Sequence, residues 1–121
     1  MQVLILVLTY LIAVEHIGIM GLEMFASAET RAKAFDMPLD FVKLPNARVA
    51  LANQGIYNGM LGAVIIMVNL LLAGQTLKIV LALLMLYIFI VALYGTFTAT
   101  KKIFFLQGLP ALITLLLILF F

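Results

Sequence analysis

Cysteine is absent from this chain, and charge is nearly so. Without cysteine there is no disulfide, no thiolate nucleophile and no Cys-based zinc or iron–sulfur site, and the redox compartment stays open. Asp, Glu, Lys and Arg together make up 10% of the 121 residues against 67% hydrophobic ones, and the mean hydropathy is +1.31. That leaves far too little polar surface to coat a water-soluble globule, so composition points to a membrane protein. No glycine-rich phosphate loop, nucleophile elbow or dinucleotide fingerprint occurs. A pI near 9.1 would suit a nucleic-acid partner. The seven Lys and Arg, however, are scattered at segment ends rather than clustered, which argues against nucleic acid and reads as membrane topology.

What the chain does have is long apolar runs. A spanning helix needs about 20 mainly apolar residues, and runs of that kind cover about 2–25, 48–73, 78–100 and 103–121. Between the first two lies a connection, 26–47, with Glu29, Asp36 and Asp40, Arg31, Lys33 and Lys43, and with Pro38 and Pro45 breaking any continuous helix. Its apolar residues, Phe35, Met37, Leu39, Phe41, Val42 and Leu44, predict that it lies along the membrane interface. Asn46 is the expected N-cap of the second span. The remaining connections, Gly74-Gln75-Thr76 and Thr100-Lys101-Lys102, are tight, so consecutive helices must pack antiparallel. The expected fold is one all-α domain, 1–121, an integral membrane four-helix up-down-up-down bundle.

Orientation follows from counting cations. Arg31, Lys33, Lys43, Arg48, Lys101 and Lys102 lie on one side, and only Lys78 on the other. The positive-inside rule then places both of these connections in the cytoplasm, and both termini outside, in a multi-pass cell-membrane protein. The Ala26-Ser27-Ala28 run resembles a signal-peptidase site, but there is no basic n-region, the apolar stretch is too long and Glu15-His16 interrupts it.

Polar residues inside the spans carry the functional argument. The first span holds Glu15, His16 and Glu23, and a charge at mid-bilayer costs about 2.5–3.5 kcal/mol on insertion scales. His16 and Glu23 project within about 20° of each other, with Glu15 roughly 100° away. In the second span Asn53, Gln54, Tyr57 and Asn58 share an arc of about 140°, and Gly55, Gly59 and Gly62 occupy the adjoining one. Tyr87, Tyr94 and Thr98 share a face of the third span, and Gln107 and Thr114 one of the fourth. Stranding these groups in lipid would cost several kcal/mol each, so the arcs are expected to converge on a polar pocket in the cytoplasmic half. The candidate ligand-binding or proton-coupling residues are Glu15, His16, Glu23, Asn53, Gln54, Tyr57, Asn58, Tyr94 and Gln107.

Structural readings stand beside the functional ones. Glu23, close to the boundary, could pair with Arg48 or snorkel. His16 could be a buried helix-to-helix hydrogen-bond donor, and the amides and tyrosines interhelical glue. Glu15 needs a cation, His16 or water to support a charge at its depth. The glycines read as packing elements, with a homodimer through the Gly55/Gly59 face as one outcome, and Pro110 as a kink that frees the carbonyl of Leu106. No metal and no cofactor are expected. His16 and Glu23 lie about 10.5 Å apart along the axis, and Glu15-His16 lacks the Glu-x-x-His spacing of bundle di-iron sites.

The residues also carry a resemblance. Ala13-Val14-Glu15-His16, Leu22-Glu23-Met24-Phe25, the block Ala52-Asn53-Gln54-Gly55-Ile56-Tyr57-Asn58-Gly59, Tyr94-Gly95 and Gln107-Gly108-Leu109-Pro110-Ala111 together resemble a bacterial and fungal integral-membrane family catalogued as domain of unknown function number 1304. The likeness extends over almost the whole chain and is most specific in the 52–59 block. It implies a small four-span membrane domain and no particular activity.

Three functions are consistent with these features. The first is binding or transport of a small lipophilic or amphipathic molecule, proton-coupled through Glu15, with membrane lipids as surroundings; the four-span plan with an acid in the first helix is similar to that of small multidrug exporters. The second is an intramembrane lipid or isoprenoid isomerase-type enzyme with His16 or Glu15 as acid and base and Tyr57 or Tyr94 polarising the substrate. The third is a structural accessory subunit whose polar residues only specify helix pairing.

Overall fold

A computed structural model describes residues 1–121 and is all-α, without strands. Helix α1 covers Gln2–Phe25, α2 Ala28–Phe35, α3 Leu39–Val42, α4 Pro45–Leu71 and α5 Gly74–Thr98, and a π-helical turn, Phe104–Gly108, leads into α6, Leu109–Phe120. Three helices, α1, α4 and α5, are long and apolar enough to cross a membrane, while the continuous helical stretch Phe104–Phe120 is shorter. At about 1.5 Å per residue that stretch reaches roughly 25 Å, near the lower limit for a span.

Local chemistry sets the ends. Pro38 is the N-cap of α3, and Pro45 takes the first turn of α4 behind Leu44, with no side-chain cap. Asn46 is therefore not the cap: proline's fixed φ and missing N–H suit that first turn, and the helix begins three residues earlier than expected. The turn between α4 and α5 shrinks to Leu72-Ala73 because Gly74 adopts φ +60°, a conformation costly for a residue with a Cβ. Ser27 caps α2, its Oγ accepting from the Thr30 N–H at 3.2 Å, so the Ala26-Ser27-Ala28 run is the joint between α1 and α2.

Helix α4 packs antiparallel along α1, α6 and the π turn pack along α5, and thinner contacts join α1 to α6 and α4 to α5. The α1/α4 approach depends on glycine. A Cβ at Gly62 would lie 2.5 Å from the Ala13 carbonyl oxygen, one at Gly55 2.6 Å from Met24 Cγ, and one at Gly59 would collide with the Met20 thioether. The Gly55/Gly59 face offered by the sequence to a second copy is thus occupied by α1 of the same chain. Ile12, Ala13, Ile65, Met85, Ile88, Ala111 and Leu115 fill the shared core.

The π turn follows from Pro110. Lacking an N–H, it cannot donate to Leu106, and the preceding turn widens so that the Leu109 N–H reaches back to the Phe104 carbonyl. At the same end of the molecule, Lys102 Nζ sits 2.8 Å from Asp36 Oδ1 and 3.3 Å from the Lys33 carbonyl, and Thr100 donates to Asp36 Oδ2 at 2.6 Å. This latch joins the end of α2 to the turn after α5. The hydrogen bond from Lys102, and then that from Thr100, hold the Asp36 carboxyl below its ordinary pKa.

Candidate functional site

His16 is 1% exposed although it is the one histidine of a very apolar chain. Its Nδ1 lies 2.8 Å from the carbonyl oxygen of Ile12, one helical turn back. A carbonyl only accepts, so Nδ1 carries a proton. His16 lines a small cavity of about 40 Å³, to which α4 contributes Gln54, Tyr57 and Asn58, α5 contributes Tyr87, and the π turn contributes Gln107. Leu61, Ile88 and Val91 complete its wall. Room of this size suits one or a few water molecules or a polar group of a few atoms. Drug-sized ligands occupy pockets of about 300–1,000 Å³.

Beside the cavity, Asn58 donates through Nδ2 to Glu23 Oε2 at 2.9 Å. Glu23 is buried, and its partner is this amide across the α1/α4 contact rather than Arg48, with which it forms no ion pair. One α4 residue therefore both lines the cavity and fixes an acid of α1. Further along the same contact, Asn69 donates from Nδ2 to Thr9 Oγ1 at 3.2 Å and to its own helix at the Ile65 carbonyl, 2.9 Å away.

Glu15 stands apart. On helical geometry it lies roughly 170° around α1 from the line Ala13, Ile17, Met20 and Met24 that meets α4. It is half-buried, does not line the His16 cavity, and its buried Oε1 has no hydrogen-bond partner.

Of the sequence-derived candidates, His16, Gln54, Tyr57, Asn58 and Gln107 meet at the cavity, and Glu23 adjoins it through Asn58. Asn53 is exposed and outside it, as is Tyr94, which is 74% exposed. Tyr87, seven residues before Tyr94 on the same face, takes the place in the wall; it was legible as part of that face but not as the member at the right depth. Thr9 and Asn69 left no signal, being isolated polar residues in separate apolar runs.

A larger open hollow of about 550 Å³ lies at the other end, between the start of α1 and the start of α5. Its one charged group, Lys78, already donates to the Phe121 carbonyl at 3.1 Å, which leaves a mostly apolar hollow. The described residues hold no cluster of acids and histidine able to bind a metal ion.

The sequence profile of the family described as "Protein of unknown function (DUF1304)" matches residues 10–119. The chain belongs to that family. It is 39% identical over 117 residues to "Uncharacterized protein YpaA" of Lactococcus lactis subsp. lactis (strain IL1403), covering 96% of this chain and 97% of the relative. No solved structure matches. The DUF1304 match takes in every residue of the His16 cavity, so the site is part of the family's domain rather than an appendage to it.

Proposed function

We propose that the chain is a four-span integral membrane protein that binds a small amphipathic molecule, its polar head in the His16 cavity and its apolar part in the seam between α4 and α5. In this reading α1, α4, α5 and the π turn with α6 form an up-down-up-down bundle, with both termini outside and α2 and α3 on the cytoplasmic interface. The latch from Asp36 to Lys102 and Thr100 supports it, because it holds the first and last connections at one end, as that topology requires.

The observation that carries the proposal is a buried His16, tied through Nδ1 to its own helix, in the wall of a cavity rimmed by amides and tyrosines. In the dry interior such groups need a polar partner, and water or a ligand head group is what fits. The cavity's size argues for a head of a few non-hydrogen atoms such as an amine or hydroxyl. Tyr57 and Tyr87, 67% and 55% exposed, flank the way out between α4 and α5, where the helices make only sparse contact. Glu15, on the opposite face of α1, supplies a second titratable site for proton coupling.

Titration of purified protein with decylamine and decanol tests this. Wild type binds at least one of them, His16→Gln binds more weakly, and amine binding varies between about pH 5 and about pH 9 more strongly in wild type than in Glu15→Gln. Binding of neither probe, or equal binding by His16→Gln, contradicts the head-group assignment; pH-independent amine binding by wild type contradicts the proton coupling.

One observation favours a second reading. A histidine held through Nδ1 in the wall of a cavity that Tyr57 and Tyr87 also line suits a general base, with one tyrosine as the acid. An intramembrane isomerase of lipids or isoprenoids would form a product from membrane lipids that disappears in His16→Ala, and absence of turnover across a broad lipid panel contradicts it.

A further inference from the structure

A second polar feature lies outside the His16 cavity. Arg31, in the middle of α2, is only 6% exposed. Its buried Nε has no hydrogen-bond partner, and the molecule's one ion pair, Lys102 with Asp36, does not involve it. A guanidinium without a carboxylate or carbonyl at such burial is costly, because desolvation is not offset. Arg31 is nevertheless placed beside Arg48, from the first turn of α4, in one open groove of about 370 Å³. The other walls are Met24, Pro45, Val49 and Ala52, all apolar. Two unneutralised guanidiniums thus sit at the head of an apolar wall, and that wall continues along α4, where Val49 and Ile56 are exposed.

From this arrangement we infer that Arg31 and Arg48 form a binding site for the phosphate of an anionic phospholipid, with its acyl chain along the Val49 and Ala52 side of α4. Charge complementarity selects the head group: guanidinium forks suit phosphate oxygens, and basic pockets at the cytoplasmic interface suit anionic lipids. The apolar wall selects a lipid over a soluble anion. The lipid phosphate supplies the acceptor that the Arg31 Nε lacks, and it pins α2 to the start of α4. The inference rests on the membrane reading and is independent of the His16 cavity.

Native mass spectrometry of the full chain released from phosphatidylcholine nanodiscs containing a minority of phosphatidylglycerol tests it. Wild type retains phosphatidylglycerol above its share of the input. Arg31→Gln/Arg48→Gln loses that enrichment by roughly tenfold or more, and Lys43→Gln, at the same end but outside the groove, keeps it. Arg48→Gln alone, at an exposed position, lowers the enrichment even if the Arg31 variant folds poorly. Wild type without enrichment, or an Arg48→Gln variant indistinguishable from Lys43→Gln, overturns the inference. So does displacement of the bound lipid by millimolar inorganic phosphate, which would mark a site for a soluble anion. A chain that stays monodisperse without detergent overturns the membrane reading and the lipid site together, whereas a reconstituted but lipid-indifferent chain overturns the lipid site only.

Discussion

The α1/α4 contact and the α4/α5 seam use the same helix for opposite ends. Toward α1, helix α4 turns Gly55, Gly59 and Gly62, and the backbones come close enough for two polar cross-links, Asn58 to Glu23 and Asn69 to Thr9. Toward α5 it turns Gln54, Tyr57 and Leu61, and the helices leave a cavity instead of filling it. Small residues give a close, fully bonded contact, whereas large amphipathic ones give a loose contact with unmatched polar ends. The first is a frame, and the second is the entrance in the proposed function. Asn58 belongs to both, so the cavity is held against the rigid side of the molecule.

The comparison breaks most readily at Gly62. A methyl there meets the Ala13 backbone, which cannot swing aside, so Gly62→Ala is expected to destabilise by about 1–3 kcal/mol in thermal or denaturant unfolding in detergent. Gly59→Ala meets the flexible Met20 side chain and should cost less. Gly18→Ala, with open space around it, should be neutral or gain up to about 1 kcal/mol. A ranking in which Gly18 is as sensitive as Gly62 would remove the frame from the account.

Next in size is Asn58→Leu. It strips a buried carboxyl group of its donor and should cost about 1–3 kcal/mol. Pairing it with Glu23→Leu should recover part of that loss, which a double-mutant cycle reads directly. Thr9→Val removes a milder contact, worth about 0.6 kcal/mol on membrane-protein averages. On the seam side, Tyr87→Leu should change stability by less than about 0.5 kcal/mol, as an exposed position does, yet alter decylamine or decanol binding. A large loss of stability with unchanged binding would make the seam a second frame.

The smallest effect is at the latch. The folded Asp36 pKa lies below its ordinary value of 3.8, so the latch adds stability above that value and loses it as pH falls through the depressed one. A carboxyl-shift titration should show Asp36 moving back up toward 3.8 in Lys102→Gln. An unchanged midpoint would mean that the ion pair does not form in solution.

Much of this was legible in the chain. Apolar run length gave α1, α4 and α5 to within a few residues, and the errors fall where Pro45 and Gly74 move helix starts by backbone rules that outrank capping and loop length. The polar arc of α4 was legible because four polar residues within six positions cannot all be core. Depth was harder: Tyr87 and Tyr94 share a face, and only the position of the π turn, set by Pro110, decides that the cavity lies beside Tyr87. Which neighbour covers each side of α1 cannot be read from α1 alone, so Glu15 and His16, adjacent in sequence, part company in space. Arg31 counted in the sequence only as a cation of the interfacial connection, because the burial of one position in an eight-residue helix leaves no periodic mark.

The central claim is that the α4/α5 seam leads from the lipid to a polar cavity at His16. An experimental density map of the protein in lipid nanodiscs tests it most directly. Density not accounted for by protein, running from His16 outward between Tyr57 and Tyr87, is the predicted result. A seam closed by side chains, with nothing beyond ordered water beside His16, would contradict it.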